Sequence, residues 1–241
     1  MYKIGIIQKI HDKGLELLDA NKNFEYDVID DVSEKNLLKI IHLYDGVSLR
    51  VSKLTNTLLS KATKLKVISR HGVGYDNVDL NYLNKNGQAL AITGTSNAVS
   101  VAEHVMTMFL YLAKKINRSD DLVRNQKFAN KSIIGNFFEL YQKNVLILGF
   151  GRIGQAVAKR CKGFEANILV YDPFVDKEII QKNGYEKIDF DTGIKLADFI
   201  TVHMPLSEKT KNIINKKVFE EMKDNAIIVN TARGGIINEE D

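Results

Sequence analysis

Residues 145–154, Val-Leu-Ile-Leu-Gly-Phe-Gly-Arg-Ile-Gly, carry an apolar strand-like run straight into a helix-like one through the spacing G-x-G-x-x-G. Gly149 permits a tight turn, Gly151 lets a diphosphate approach the backbone, and Gly154 lets helix and strand pack closely. The N–H groups at the helix start, on Arg152 and Ile153, point at such an anion. About 20 residues further on, Tyr171-Asp172-Pro173 closes a second apolar strand and offers a carboxylate to the hydroxyls of an adenosine ribose. That charge repels a 2′-phosphate, so NAD is expected rather than NADP. A glycine spacing alone also fits an ordinary strand-to-helix turn, and an Asp before Pro an ordinary turn cap. Strand, helix and acid together favour a dinucleotide.

Other chemistry-bearing residues follow apolar runs. Arg233 comes after the strand-like 226–230 and before Gly234 and Gly235, and His203 comes after 199–202. Ligands of open α/β sheets gather at such strand ends. Arg50, Lys53, Arg70 and His71 also lie at or just beyond strand-like runs, where they suit a phosphate or remain solvated charges. Cys161 is alone, inside an apolar helical pattern; it reads as a buried inert thiol, excludes an intramolecular disulfide and fits a reducing cytoplasm. His104 reads as structural, His11 and His42 have no chemical context, and no metal site is assigned.

The elements that must position these residues alternate. Strands are expected at 3–7, 24–29, 46–49, 65–69 and 89–92, with helices at 14–20, 34–43, 57–61 and 80–85, Ser33 as an N-cap and Gly87 as a helix stop. Residues 100–116 are apolar nearly all round, as in a helix buried between layers. A more polar helix at 120–128 and an irregular aromatic stretch to 142 follow. A second series places strands at 145–148, 167–171, 185–188, 199–202 and 226–230, with helices at 153–162 and 216–222 and a further helix capped by Asn238. Strict alternation implies parallel sheets covered on both faces, in two domains, 1–98 and 99–241.

With 44% apolar and 27% charged residues, the 241-residue chain has the composition of a soluble globular protein. Its net charge of +4 is scattered without long like-charge runs, so no nucleic-acid stripe is expected. The N-terminus does not read as a signal peptide. The most apolar stretch, 105–113, is about half of what a bilayer requires, so no membrane span is expected.

Five segments recur in a known order: Arg70-His-Gly-Val-Gly-Tyr-Asp-Asn-Val-Asp79, Ser100-Val-Ala-Glu-His104, the glycine loop, His203-Met-Pro-Leu206 and Asn230-Thr-Ala-Arg-Gly-Gly235. In that order and spacing the chain resembles the D-isomer-specific 2-hydroxyacid dehydrogenases, most of all their phosphoglycerate dehydrogenase branch. The resemblance implies a flavodoxin-like substrate domain, then an incomplete Rossmann NAD-binding domain, acting on a small 2-hydroxy or 2-oxo acid. It assigns Arg233 as the catalytic arginine, whose planar fork grips the substrate carboxylate and polarises the carbonyl that receives the hydride. Backbone N–H groups of Gly72, Val73 and Gly74, with Arg70 beside them, are implied to hold that carboxylate. His203 and Pro205 are implied to lie on the nicotinamide side, and Thr210, Thr231, Ala232 and Pro173 to touch the cofactor. A homodimer built around the second domain is implied as well.

The same resemblance implies a later Glu and a later His as proton donor, and residues 1–241 carry neither. Departures from the family's pattern are Gly94 for Pro, Phe128 for Trp, Gln142-Lys143 for Gly-Lys and Asn238 for Asp. The expectation is an NAD-dependent dehydrogenase whose activity as given is lost; the alternative is a catalytically silent NAD-binding sensor or interaction protein. A Rossmann methyltransferase is a weaker reading, because it leaves Arg233 and the first module without a role.

Overall fold

The computed structural model describes residues 1–241. They form two compact units, Met1–Asn97 and Ala98–Asp241. No helix is long and apolar enough to cross a membrane.

Unit 1 alternates β1 (Tyr2–Ile7), α1 (Asp12–Asp19), β2 (Phe24–Ile29), α2 (Glu34–Ile40), β3 (Gly46–Leu49), α3 (Asn56–Lys61), β4 (Val67–Arg70), α4 (Leu80–Asn86) and β5 (Ala89–Ile92). The strands pair in parallel in the order β2-β1-β3-β4-β5, the flavodoxin-like arrangement. Caps read from sequence are in place: the Ser33 hydroxyl accepts from Asn36 N–H, and Gly87 ends α4 in the left-handed conformation. His11, without context in the sequence, caps α1 by accepting from Lys13 N–H. One core of Ile7, Leu37, Ile41, Val47, Leu49, Leu58 and Ile68 closes the unit.

Unit 2 opens with α5 (Ala98–Ala113) and α6 (Ile116–Arg124), followed by a 3₁₀ stretch, Phe128–Ile134. A single helix was expected to run to residue 116. Instead Lys115 sits in the left-handed region at φ 47°, and a new helix starts after it. Helix α5 buries Ala102, Val105, Phe109 and Ala113, but leaves Val99, Tyr111 and Leu112 exposed. Then follow β6 (Asn144–Leu148), α7 (Arg152–Gly163), β7 (Asn167–Tyr171), α8 (Lys177–Lys182), β8 (Glu186–Lys187), α9 (Phe190–Leu196), β9 (Phe199–Val202), α10 (Lys216–Glu221) and β10 (Ile227–Asn230). The sheet is parallel in the order β10-β9-β6-β7-β8, so the chain reverses direction across β6, the switch point of a Rossmann-like sheet.

Strand alternation explains how both faces are covered. Val145, Ile147, Ile168 and Val170 join Phe109 and Val157 in one core, while Leu146, Leu148, Leu169, Ile200 and Val202 join Ile194 in another. Helices α8 and α9 were not anticipated. Both are short, and α9 contains Gly193, a poor helix former whose missing side chain makes room for Leu146. Only a turn at 239–240, and no helix, follows Asn238, whose N–H bonds the Ile214 carbonyl at 2.8 Å.

Candidate functional site

The glycine loop leaves β6 at a point where no side chain fits. Gly149 has φ +98°, and a Cβ there would stand 2.9 Å from the His203 carbonyl. A Cβ on Gly154 would strike the Gly149 carbonyl oxygen, so the first turn of α7 lies directly against the loop. Gly151 differs: a Cβ on it would meet nothing within 4 Å. It is the N-cap of α7, no side chain caps that helix, and helix starts leave their first N–H groups without intrahelical partners. Shape and field there suit an anion.

Asp172, expected to offer its carboxylate to the adenosine ribose, is only 9% exposed. Its Oδ2 accepts from Phe150 N–H and its Oδ1 from Phe174 N–H, both at 2.8 Å. Pro173 lies between, in the turn after β7.

At the end of β9, His203 Nε2 is 2.9 Å from the hydroxyl of Thr201, a fully buried polar residue two positions earlier on the same strand face. Burial pushes the imidazole down to about 4, so it is neutral at pH 7. Its Nδ1 is buried without a partner. The register Val202↔Asn230 puts Thr231 beside it at the end of β10, and the Thr231 hydroxyl is also buried and unpartnered. In the loop after His203, the Thr210 hydroxyl donates to the Pro205 carbonyl at 2.7 Å and accepts from Ser207 N–H at 2.8 Å, closing that loop on itself.

The turn after β10 is held by one amide. Asn230 Oδ1 accepts from Ala232 N–H at 2.9 Å, and its Nδ2 donates to the Arg233 carbonyl at 2.8 Å. Arg233 Nη1 donates to the Ala232 carbonyl at 2.8 Å. The turn borders an open hollow of about 350 Å³ lined by Thr231, Ala232, Arg233, Gly234 and Glu239. Thus the carboxyl ends of β6, β7, β9 and β10 bring the glycines, Asp172, His203 and Arg233 to one edge of one sheet.

Arg70, Gly72, Val73 and Gly74 lie in unit 1, at the end of β4. Gly72 has φ +149°, and its carbonyl accepts from Thr93 N–H at 3.1 Å, tying the loop to the segment after β5. Arg70 folds back so that Nη1 donates to the His71 carbonyl, occupying the space a Gly72 side chain would need. Lone Cys161 is fully buried beside Met106, and burial pushes its thiol up to about 12.

Sequence reasoning passed over Thr201, Asn230 and Gln155, whose Nε2 donates to the Phe150 carbonyl at 3.1 Å. Signals existed for two: Thr201 is a polar residue inside an apolar strand, and Asn230 is an Asx-turn former placed just before a turn.

Comparison with known proteins agrees with this geometry. Residues 106–241 match the profile of "D-isomer specific 2-hydroxyacid dehydrogenase, NAD binding domain". The chain belongs to that family. It is 37% identical to a D-3-phosphoglycerate dehydrogenase of Archaeoglobus fulgidus, over 98% of this chain and 45% of that protein. It is also 37% identical to a hydroxypyruvate reductase of Thermotoga maritima, over 99% of this chain and 76% of that protein. A solved Aquifex aeolicus D-lactate dehydrogenase, complexed with NAD and lactic acid, superposes with TM-score 0.86 at 30% identity, covering 98% of this chain and 71% of that one. The chain spans less than half the length of the phosphoglycerate dehydrogenases it matches.

The family's cofactor is NAD, and the residues present fit it: the open cradle at Gly151, the uncapped helix start and the two residues with unpartnered buried atoms, His203 and Thr231, all lie at the carboxyl end of the sheet, where such a ligand binds.

Proposed function

We propose that the protein is an NAD-dependent oxidoreductase acting at C2 of a small D-2-hydroxy or 2-oxo acid. The observation that carries this reading is the shared sheet edge, which gathers the glycine loop, a buried acid and an arginine turn at the ends of parallel strands. Family relatives with phosphoglycerate, hydroxypyruvate and lactate in their names have the 2-hydroxy or 2-oxo acid group in common. That group is the substrate class proposed here, with a phosphate-bearing acid as the finer candidate.

In unit 2, Gly149, Gly151, Arg152, Ile153 and Gly154 would hold the pyrophosphate, Asp172 and Pro173 the adenosine ribose, and Pro205, Thr210, His203, Thr231 and Ala232 the remainder of the cofactor. When bound, NAD supplies or accepts the hydride. Arg233 binds the substrate carboxylate through its planar fork and polarises the carbonyl oxygen as negative charge develops on it. Asn230 holds the backbone from which that fork projects. In unit 1, the N–H groups of Gly72, Val73 and Gly74 are suited to a carboxylate, with Arg70 at the loop's base.

The alkoxide formed in the reductive direction needs a proton. His203 is poorly suited to supply it, since burial lowers the imidazole to about 4 and at neutral pH the ring lacks the acidic proton of an imidazolium. We therefore read His203 as lining and expect residues 1–241 alone to turn over weakly. The alternative, a silent NAD-binding protein, draws on the same histidine. NADH oxidation with a panel of 2-oxo acids, run on this chain and on one extended with the family's acid/base segments, separates the two. Activity that appears only in the extended chain supports the dehydrogenase; its absence from both supports the silent protein. A homodimer built on unit 2 and a cytoplasmic setting belong to the same proposal, the first resting on the exposed Val99, Tyr111 and Leu112 of α5 and testable by light scattering.

A further inference from the structure

The middle residue of the glycine loop is held from three sides. Phe150 N–H donates to Asp172 Oδ2 at 2.8 Å, its carbonyl accepts from Gln155 Nε2 at 3.1 Å, and its ring is buried edge-on to Tyr185 at 5.9 Å. The second oxygen of Asp172 takes Phe174 N–H, and Gly149 N–H donates to the Tyr171 carbonyl at 2.9 Å. One carboxylate therefore ties the turn after β6 to the turn after β7. Because Phe150 precedes Gly151 directly, its orientation sets where the amides at the start of α7 point.

We propose that Asp172 is a positioning residue for the pyrophosphate cradle, in addition to any contact it makes with the ribose, so that removing it weakens dinucleotides whatever their ribose carries. This rests on the dinucleotide reading above. Hydrogen bonds from backbone amides to a carboxylate are strong, and a buried N–H left without an acceptor is costly. An Asp172→Ala change strips acceptors from Phe150 and Phe174 together, and Asp172→Asn leaves one acceptor for two donors. A switch toward NADP by deleting the acid would thus loosen the loop that both cofactors need. The carboxylate still has lone pairs to spare, so holding the loop and meeting a ribose hydroxyl are compatible.

The test uses the 241-residue chain, its Asp172→Ala and Asp172→Asn variants, NADH, and an NADH analogue whose adenosine ribose lacks both the 2′- and 3′-hydroxyls. Calorimetry gives the affinities. Amide NMR of the unliganded chains gives an independent signature in the Phe150 proton shift and its exchange rate. The expected result is that Asp172→Ala weakens the dideoxy analogue about tenfold or more, moves the Phe150 amide and speeds its exchange, with Asn intermediate and the Ile147 and Val170 amides unchanged. An unchanged analogue affinity and an unchanged Phe150 amide, with loss confined to NADH itself, would overturn the proposal. Should the Ala variant fail to fold, Asn decides: wild-type behaviour at Phe150, Phe174 and the analogue refutes positioning. If the unmodified chain binds neither ligand, the dinucleotide reading fails first and takes this inference with it.

Discussion

His203 Nε2 and Thr201 Oγ1 lie 2.9 Å apart at the end of β9, while the other ring nitrogen of His203 is buried without a partner. Burial keeps that ring neutral at the end of the sheet where the glycine loop and the arginine turn also lie. Its pKa, lowered to about 4 by burial, lies below the ordinary value of 6.5, so between those two values the unfolded chain binds the proton and the folded chain does not. Stability is therefore fully present above pH 6.5 and is lost as pH falls toward 4, by on the order of 3 kcal/mol from this group. Urea unfolding across that range should show the slope, and His203→Gln should flatten it. An unchanged slope in the variant would remove His203 as its cause.

The three glycines should separate cleanly. Gly149→Ala and Gly154→Ala place a Cβ against backbone, the first also at φ +98°, and both should lower the melting temperature. Gly151→Ala meets open space, so the melting temperature should hold while NADH affinity falls about tenfold or more as the methyl fills the cradle. A Gly151 variant with normal affinity would place the pyrophosphate elsewhere.

In a form that turns over, Arg233→Ala should reduce kcat/KM by about 3–5 kcal/mol of transition-state stabilisation with little change in NADH affinity. Arg233→Lys should not restore it, because a point charge cannot replace a bidentate fork. Asn230→Ala, which frees the turn by removing two hydrogen bonds, should lower kcat by a smaller amount, about 1–2 kcal/mol. Near-normal kcat in the Arg233 variants would show that this arginine does not touch the reacting atoms.

Both sheets were legible in the sequence because parallel strands buried on two faces read as unbroken apolar runs, as in Val145 to Leu148. The glycine loop was legible because its backbone leaves no choice of residue at positions 149 and 154. What escaped is set by tertiary contacts. Lys115 breaks the long apolar helix through a left-handed backbone that its residue type does not announce, and Gly193 sits in a helix because Leu146 needs the room. Asp172 was legible as an acid at the right distance from the glycines. Its bond to Phe150 was not, since it depends on how two turns meet across the sheet.

On the reading proposed above, the carboxyl end of the unit 2 sheet is an NAD site with the negative charge of Asp172 beside the adenosine ribose. Calorimetric titration of the unmodified chain with NADH and NADPH tests it most directly. The expected result is one site per chain and tighter binding of NADH, since a carboxylate repels a 2′-phosphate. No binding of either, or tighter binding of NADPH, would contradict it.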